Sequence, residues 1–190
     1  MEEADYLFRH AALRDAAYAL QLPSERARLH KFVFEILESA LGDDERNALA
    51  LALADHALLA QRGITWAGDG LHRKELEYLQ AAAASAAGRY ENELAVQLYE
   101  RVADHPLCTQ GQRVDAMIEC GAVLWFSGKR QAAIRKLDAA VESASSDLPR
   151  LAFALIERGT LYRDLNQYDR AARDLHLALD VARDSGDRRL

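Results

Sequence analysis

The chain has 190 residues, enough for a sizeable core in one or two domains, and a formal net charge of −6. That balance argues against a nucleic-acid binder, which needs clustered Lys and Arg; the short run Arg26, Arg28, His30 and Lys31 is offset by Glu25, Glu35 and Glu38 and reads as a solvated helix face. Half of the chain is hydrophobic, 36 positions are alanine, and only 3 Pro and 10 Gly interrupt the pattern, so an all-α protein is expected.

At the N-terminus, Met1-Glu2-Glu3-Ala4-Asp5 lacks the apolar core of a signal peptide. No apolar run approaches the roughly 20 residues of a membrane helix. The segment DYLFRHAALRDAAYALQLPSERARLHKFVFEILESALG then reads as two helices. Leu13, Ala16, Ala17 and Leu20 recur at helical spacing, and Pro23 ends that run. Ser24 is expected to cap the second helix, whose Leu29, Phe32, Val33, Ile36, Leu37 and Ala40 form a stripe that should be buried. Gly42 marks its end, and Asp43 or Asp44 is expected to cap the next helix. That third helix is predicted from about Glu45 to Gln61, with Leu49, Leu53, His56, Ala57 and Ala60 on one face. The loop RGITWAGDG separates this N-terminal helical region, residues 1–62, from residues 72–190.

The second region repeats itself. Gly121-Ala122-Val123-Leu124 is echoed 38 residues later by Gly159-Thr160-Leu161-Tyr162, and Ala133 with Ala140 by Ala171 with Ala178. Ala83, Ala95, Tyr99 and Val102 make a fainter copy in the same frame, which gives spans of about 72–108, 111–147 and 149–185. Fixed self-similarity of this length marks helix hairpins that bury their apolar faces against one another. In the second copy helices are predicted from about Gln112 to Phe126 and from Arg130 to about Ala144, with a turn at Ser127-Gly128. Gly128 suits a left-handed turn, Asn166 is the next most tolerant residue at the matching place, and Tyr90 stands there in the first copy. Pro149 opens the third copy's first helix.

Gly159, Tyr162, Tyr168, Ala171 and Ala178, with Gly121, Leu124, Ala133 and Ala140 and the weaker Ala83, Ala86, Ala95 and Val102, resemble the tetratricopeptide repeat. The leucine that the family places before its glycine is Cys120 in one copy and Arg158 in the next, and the terminal proline is missing. The resemblance implies a right-handed superhelix of antiparallel helix hairpins, a solenoid of about 8–10 helices. The family repeats every 34 residues, so about four extra per copy, one helical turn, predict longer second helices or inter-repeat loops. In the N-terminal half, YLFRHAALRDAAYALQLPSERARLH, LALADHALLA and YLQAAAASAAGRYENELAVQLYERV are similar to the segment following the nucleotide-binding and winged-helix domains of bacterial STAND-type signalling ATPases. No G-x-x-x-x-G-K-[ST] phosphate loop occurs, so this resemblance implies a piece of a larger protein whose ATPase lies upstream. ARDSGDRRL resembles a repeat's last helix turning into another copy, and no polar capping helix follows it.

Six histidines show no H-x-x-x-H spacing, and His10, His30 and His56 read as structural, so no metal or other cofactor is expected. Cys108 and Cys120, without Cys-x-x-Cys spacing, read as free thiols of a cytoplasmic protein. Acidic neighbours such as Glu91 with Glu93, or Asp164 with Asp169, lie in no recognisable catalytic context, and an enzyme is not expected. The repeat resemblance implies a concave groove lined by first helices, at positions three before, one after and four after the small mid-helix residue. These are Ile118, Ala122 and Trp125 in one copy and Ile156, Thr160 and Arg163 in the next, extended by Asp115 and Phe153 one turn earlier. Trp125 reads equally as the centre of a peptide-binding strip or as packing between repeats. Ile118 and Ala122 occupy two places of the carboxylate clamp some relatives use, so chaperone tails are not the expected ligand. The function expected is a non-catalytic protein–protein interaction scaffold of a bacterial signalling protein, binding a protein or peptide, or another domain of its own chain. The alternatives are a small-molecule sensor regulating an upstream ATPase, and a self-association module through an uncapped end exposing Leu175 and Leu179.

Overall fold

The computed structural model describes residues 11–62 and 69–185, and every regular element among them is a helix. In chain order these are α1 (Ala11–Leu20), α2 (Pro23–Ala40), α3 (Asp43–Ala48), α4 (Ala50–Gln61), α5 (Asp69–Gly88), α6 (Asn92–Asp104), α7 (Gln110–Phe126), α8 (Arg130–Ser143), α9 (Leu148–Asp164) and α10 (Tyr168–Ser185). None of these helices is long and apolar enough to cross a membrane. The chain forms two compact units, Met1–Tyr78 and Leu79–Leu190, with the division falling inside α5. Most of the RGITWAGDG loop, His10 and the last residues of the tail lie outside the described residues.

In the first unit α2 packs on α4. It begins at Pro23 rather than behind Ser24, because proline's fixed φ and missing N–H suit the first helical position. The Glu25 carboxylate reaches back to the Leu22 N–H. Gly42 has an ordinary negative φ and precedes α3, where its N–H donates to Glu45 Oε2 at 3.0 Å, so neither Asp43 nor Asp44 is the cap. The single helix expected from Glu45 to Gln61 is two, broken at Leu49 (φ −102°, ψ 13°).

The stripe expected to be buried on α2 is largely exposed: Leu29, Phe32 and Ile36 are 49%, 60% and 46% accessible. The buried face is the opposite one, with Ala27 and Phe34 at its centre. Phe34 meets Tyr78 edge-on with ring centroids 6.0 Å apart. The polar members of that face have partners. Glu38 pairs with Lys74 at 2.9 Å and accepts from the Tyr78 hydroxyl at 3.2 Å, while His30 meets His56. A helix with apolar side chains on two faces leaves periodicity unable to choose between them, and satisfied polar groups decided the choice here.

The second unit is a succession of neighbours: α6 packs on α7, α7 on α8, α8 on α9 and α9 on α10, with α7 also touching α9. The turns from α5 to α6, α7 to α8 and α9 to α10 share one hydrogen-bond pattern. The left-handed residues are Tyr90 (φ 61°), Gly128 (φ 78°) and Asn166 (φ 58°). Their N–H groups donate to Ala87, Trp125 and Arg163 carbonyls at 3.0, 2.9 and 2.9 Å. The next residues, Glu91, Lys129 and Gln167, donate five residues back to Ala86, Leu124 and Tyr162 at 2.9, 2.9 and 2.8 Å. This pair of bonds is the Schellman arrangement, which satisfies the last carbonyls of a helix. Every atom in it recurs at the 38-residue frame.

The frame also holds in the packing. Ala83 is fully buried, and at the matching positions in the next two copies glycine admits a neighbour: a Cβ on Gly121 would lie 3.0 Å from Leu137 Cγ, and one on Gly159 would lie 3.1 Å from Leu175 Cγ. Ala95, Ala133 and Ala171 are buried alike. The extra residues of each copy were expected in second helices or linkers. Instead α5 and α7, with 20 and 17 residues, outrun their partners α6 and α8, with 13 and 14; only α10, with 18, exceeds its first helix.

Candidate functional site

The second unit contains a groove of about 360 Å³ bounded by α5, α6 and α7. Gln80, Ala84 and Ala87 of α5 stand three before, one after and four after Ala83, the positions the groove rule selects. Carried to the first copy, the same rule selects these residues. Opposite them α7 supplies Gln112, Asp115, Ala116 and Glu119, and α6 supplies Tyr99 and Val102 as the floor. Three alanines leave room for an inserted chain, and the polar side chains ring an apolar centre.

Tyr99 is 8% exposed, and among the described residues its hydroxyl has no hydrogen-bond partner. Burial, then the charge of Glu119, pushes its pKa up to about 12, so the hydroxyl keeps its proton throughout the physiological range. Glu157, 38 residues beyond Glu119 on α9, is held above the usual carboxylate range by burial and by Glu119. Among the described residues neither Glu119 nor Glu157 is ion-paired.

Of the eight residues expected in the groove, Asp115 lines this cavity. It is not free: Arg150 holds it with bonds of 2.8 and 3.0 Å and also bonds Asp147 at 2.7 Å, which fastens α7 to the start of α9. Ile118 is 3% exposed, so it belongs to the core and offers no surface to a partner; this corrects its assignment to the groove. Ala122, Trp125, Ile156 and Thr160 are half-buried, while Phe153 and Arg163 are exposed. The Arg130 guanidinium lies 5.6 Å from the Trp125 ring centre, and Arg163 pairs with its neighbour Asp164.

Arg158, the residue before Gly159, is explained by its partners. It reaches Asp174 on α10 with bonds of 2.7 and 2.9 Å and Asp138 on α8 at 2.8 Å, tying three helices together. These carboxylates raise its already high pKa further, so its charge is permanent.

In the first unit the sequence spacing concealed a histidine pair. His30 Nδ1 lies 2.8 Å from His56 Nδ1, and His30 Nε2 lies 2.8 Å from the Tyr18 hydroxyl. In a consistent neutral chain Tyr18 donates to His30, and His30 donates to His56. Burial, then His56 and Arg26, holds the His30 pKa below its ordinary value. Cys108 and Cys120 are free thiols, both pushed up in pKa chiefly by burial. No family model, curated protein or solved structure matches the chain.

Proposed function

We propose that the second unit is a tetratricopeptide-like scaffold, a right-handed array of helix hairpins that binds a protein or peptide without catalysis. The observation that carries this reading is the threefold recurrence of one turn at Tyr90, Gly128 and Asn166, which sets successive first helices α5, α7 and α9 in equivalent frames. Helices repeated in this way present a continuous surface, and the small side chains of α5 and α7 open a groove along it. The resemblance of the N-terminal half to the segment behind STAND-type ATPases supports a place within a larger bacterial cytoplasmic signalling protein. There the partner would be a protein, or another domain of the same chain.

The test is capture of the partner by wild-type chain and by Ala84→Glu, which alters an exposed residue of that groove. Loss of capture with unchanged far-UV circular dichroism and melting temperature supports the reading, and undiminished capture overturns it. Self-association is a second reading, favoured by Leu175, Leu177 and Leu179 of α10, which are 39%, 50% and 47% exposed.

A further inference from the structure

The groove of α5, α6 and α7 has features that select a particular kind of side chain. Its walls are methyl groups, from Ala84 and Ala87 on one side and Ala116 on the other, which suit an unbranched aliphatic stem. Glu119 stands at the same groove without an ion-pair partner among the described residues, and Glu157 adds a second negative charge beside it. Neighbouring carboxylates repel each other and are relieved by one cation. Tyr99, 8% exposed, contributes to the floor of the same groove.

We propose that this groove takes the lysine or arginine side chain of a partner's peptide segment, with the stem between Ala84, Ala87 and Ala116 and the cation against Glu119. This rests on the scaffold reading above and names the partner's chemistry. Lysine and arginine alone combine a long apolar stem with a permanent positive charge at neutral pH. Asp115 does not compete for that cation, because Arg150 already occupies it. An acidic or C-terminal carboxylate ligand would meet uncompensated charge at Glu119 and Glu157 and is disfavoured.

The experiment is an amide chemical-shift titration of the ¹⁵N-labelled chain with the peptide Ac-Ala-Leu-Lys-Leu-Ala-NH₂ and its norleucine counterpart, at millimolar peptide. The lysine peptide should perturb Ala84, Ala116 and Glu119, and bind about tenfold more tightly than the norleucine peptide at low salt. Raising the ionic strength should erase that difference. Glu119→Gln should remove the preference for lysine, and Ala84→Phe should abolish binding of both peptides by filling the slot. Equal binding of both peptides at these residues would leave the groove standing and overturn the basic ligand. Perturbations elsewhere, or none with either peptide, would overturn both the ligand and the groove. A retained lysine preference in Glu119→Gln would overturn the role given to the carboxylate.

Discussion

Tyr90 holds a left-handed backbone that costs an ordinary side chain roughly 1–2 kcal/mol, and its own side chain, 83% exposed, recovers little by packing. Glycine at this place removes the steric cost and gives back roughly 0.5–1 kcal/mol in unfolded-state freedom. Tyr90→Gly should therefore stabilise the chain by about 0.5 kcal/mol or somewhat more, raising the melting temperature by about 2 °C. Gly128→Ala should act the other way, losing about 1 kcal/mol, since no neighbouring atom crowds the site and conformation alone decides. Thermal denaturation of both variants checks the pair, and a destabilised Tyr90→Gly would show that the tyrosine ring contributes more than its exposure indicates. The position was legible in the sequence because Gly128, Asn166 and Tyr90 share one frame. What weakened the signal of the first copy was the residue itself, a tyrosine where turn chemistry asks for glycine.

Between elements, charge takes a place that the copy 38 residues earlier gives to the buried Cys120. The Arg158 and Asp174 side chains are 18% and 11% exposed, so removing one strands the other in a poorly hydrated place. Arg158→Leu should destabilise the chain by on the order of 3 kcal/mol, whereas Arg158→Leu with Asp174→Ala should recover much of the loss. Urea denaturation of the three proteins measures the difference, and a double variant no better than the single one would refute the tie. The α2–α4 contact carries a pH dependence with a definite sign. The folded pKa of His30 lies below its ordinary 6.5, so the unfolded chain takes up protons first as pH falls. Stability of the first unit should hold above pH 6.5, decline as pH falls through that value, and level off only below the folded pKa. His30→Gln should flatten the profile, and an unchanged slope in that variant would assign the effect elsewhere. Sequence spacing could not show this pair, because His30 and His56 lie 26 residues apart on different helices and meet only through tertiary packing.

At the scale of the whole chain, the 38-residue frame turns one copy into a measure of the next. Leu137 of α8 is 1% exposed where α9 packs beside it, while its counterpart Leu175 on α10 is 39% exposed; Val141 is half-buried where Leu179 is 47% exposed. Equivalent side chains with unequal burial identify an apolar face that is covered in one copy and open in the other, and association of like molecules is one way to cover it. The chain should therefore show a rising average mass by light scattering between about 10 μM and about 1 mM, the range in which weak apolar contacts form. Leu175 is a poor site to alter, since it packs where Gly159 admits it. Ala172→Glu with Leu179→Glu changes two exposed positions of the same helix and should hold the mass at that of a monomer without lowering the melting temperature. If the wild-type mass is constant across that range, the open face is tolerated by the isolated chain and the self-association reading falls, while the groove of α5, α6 and α7 is untouched by that result.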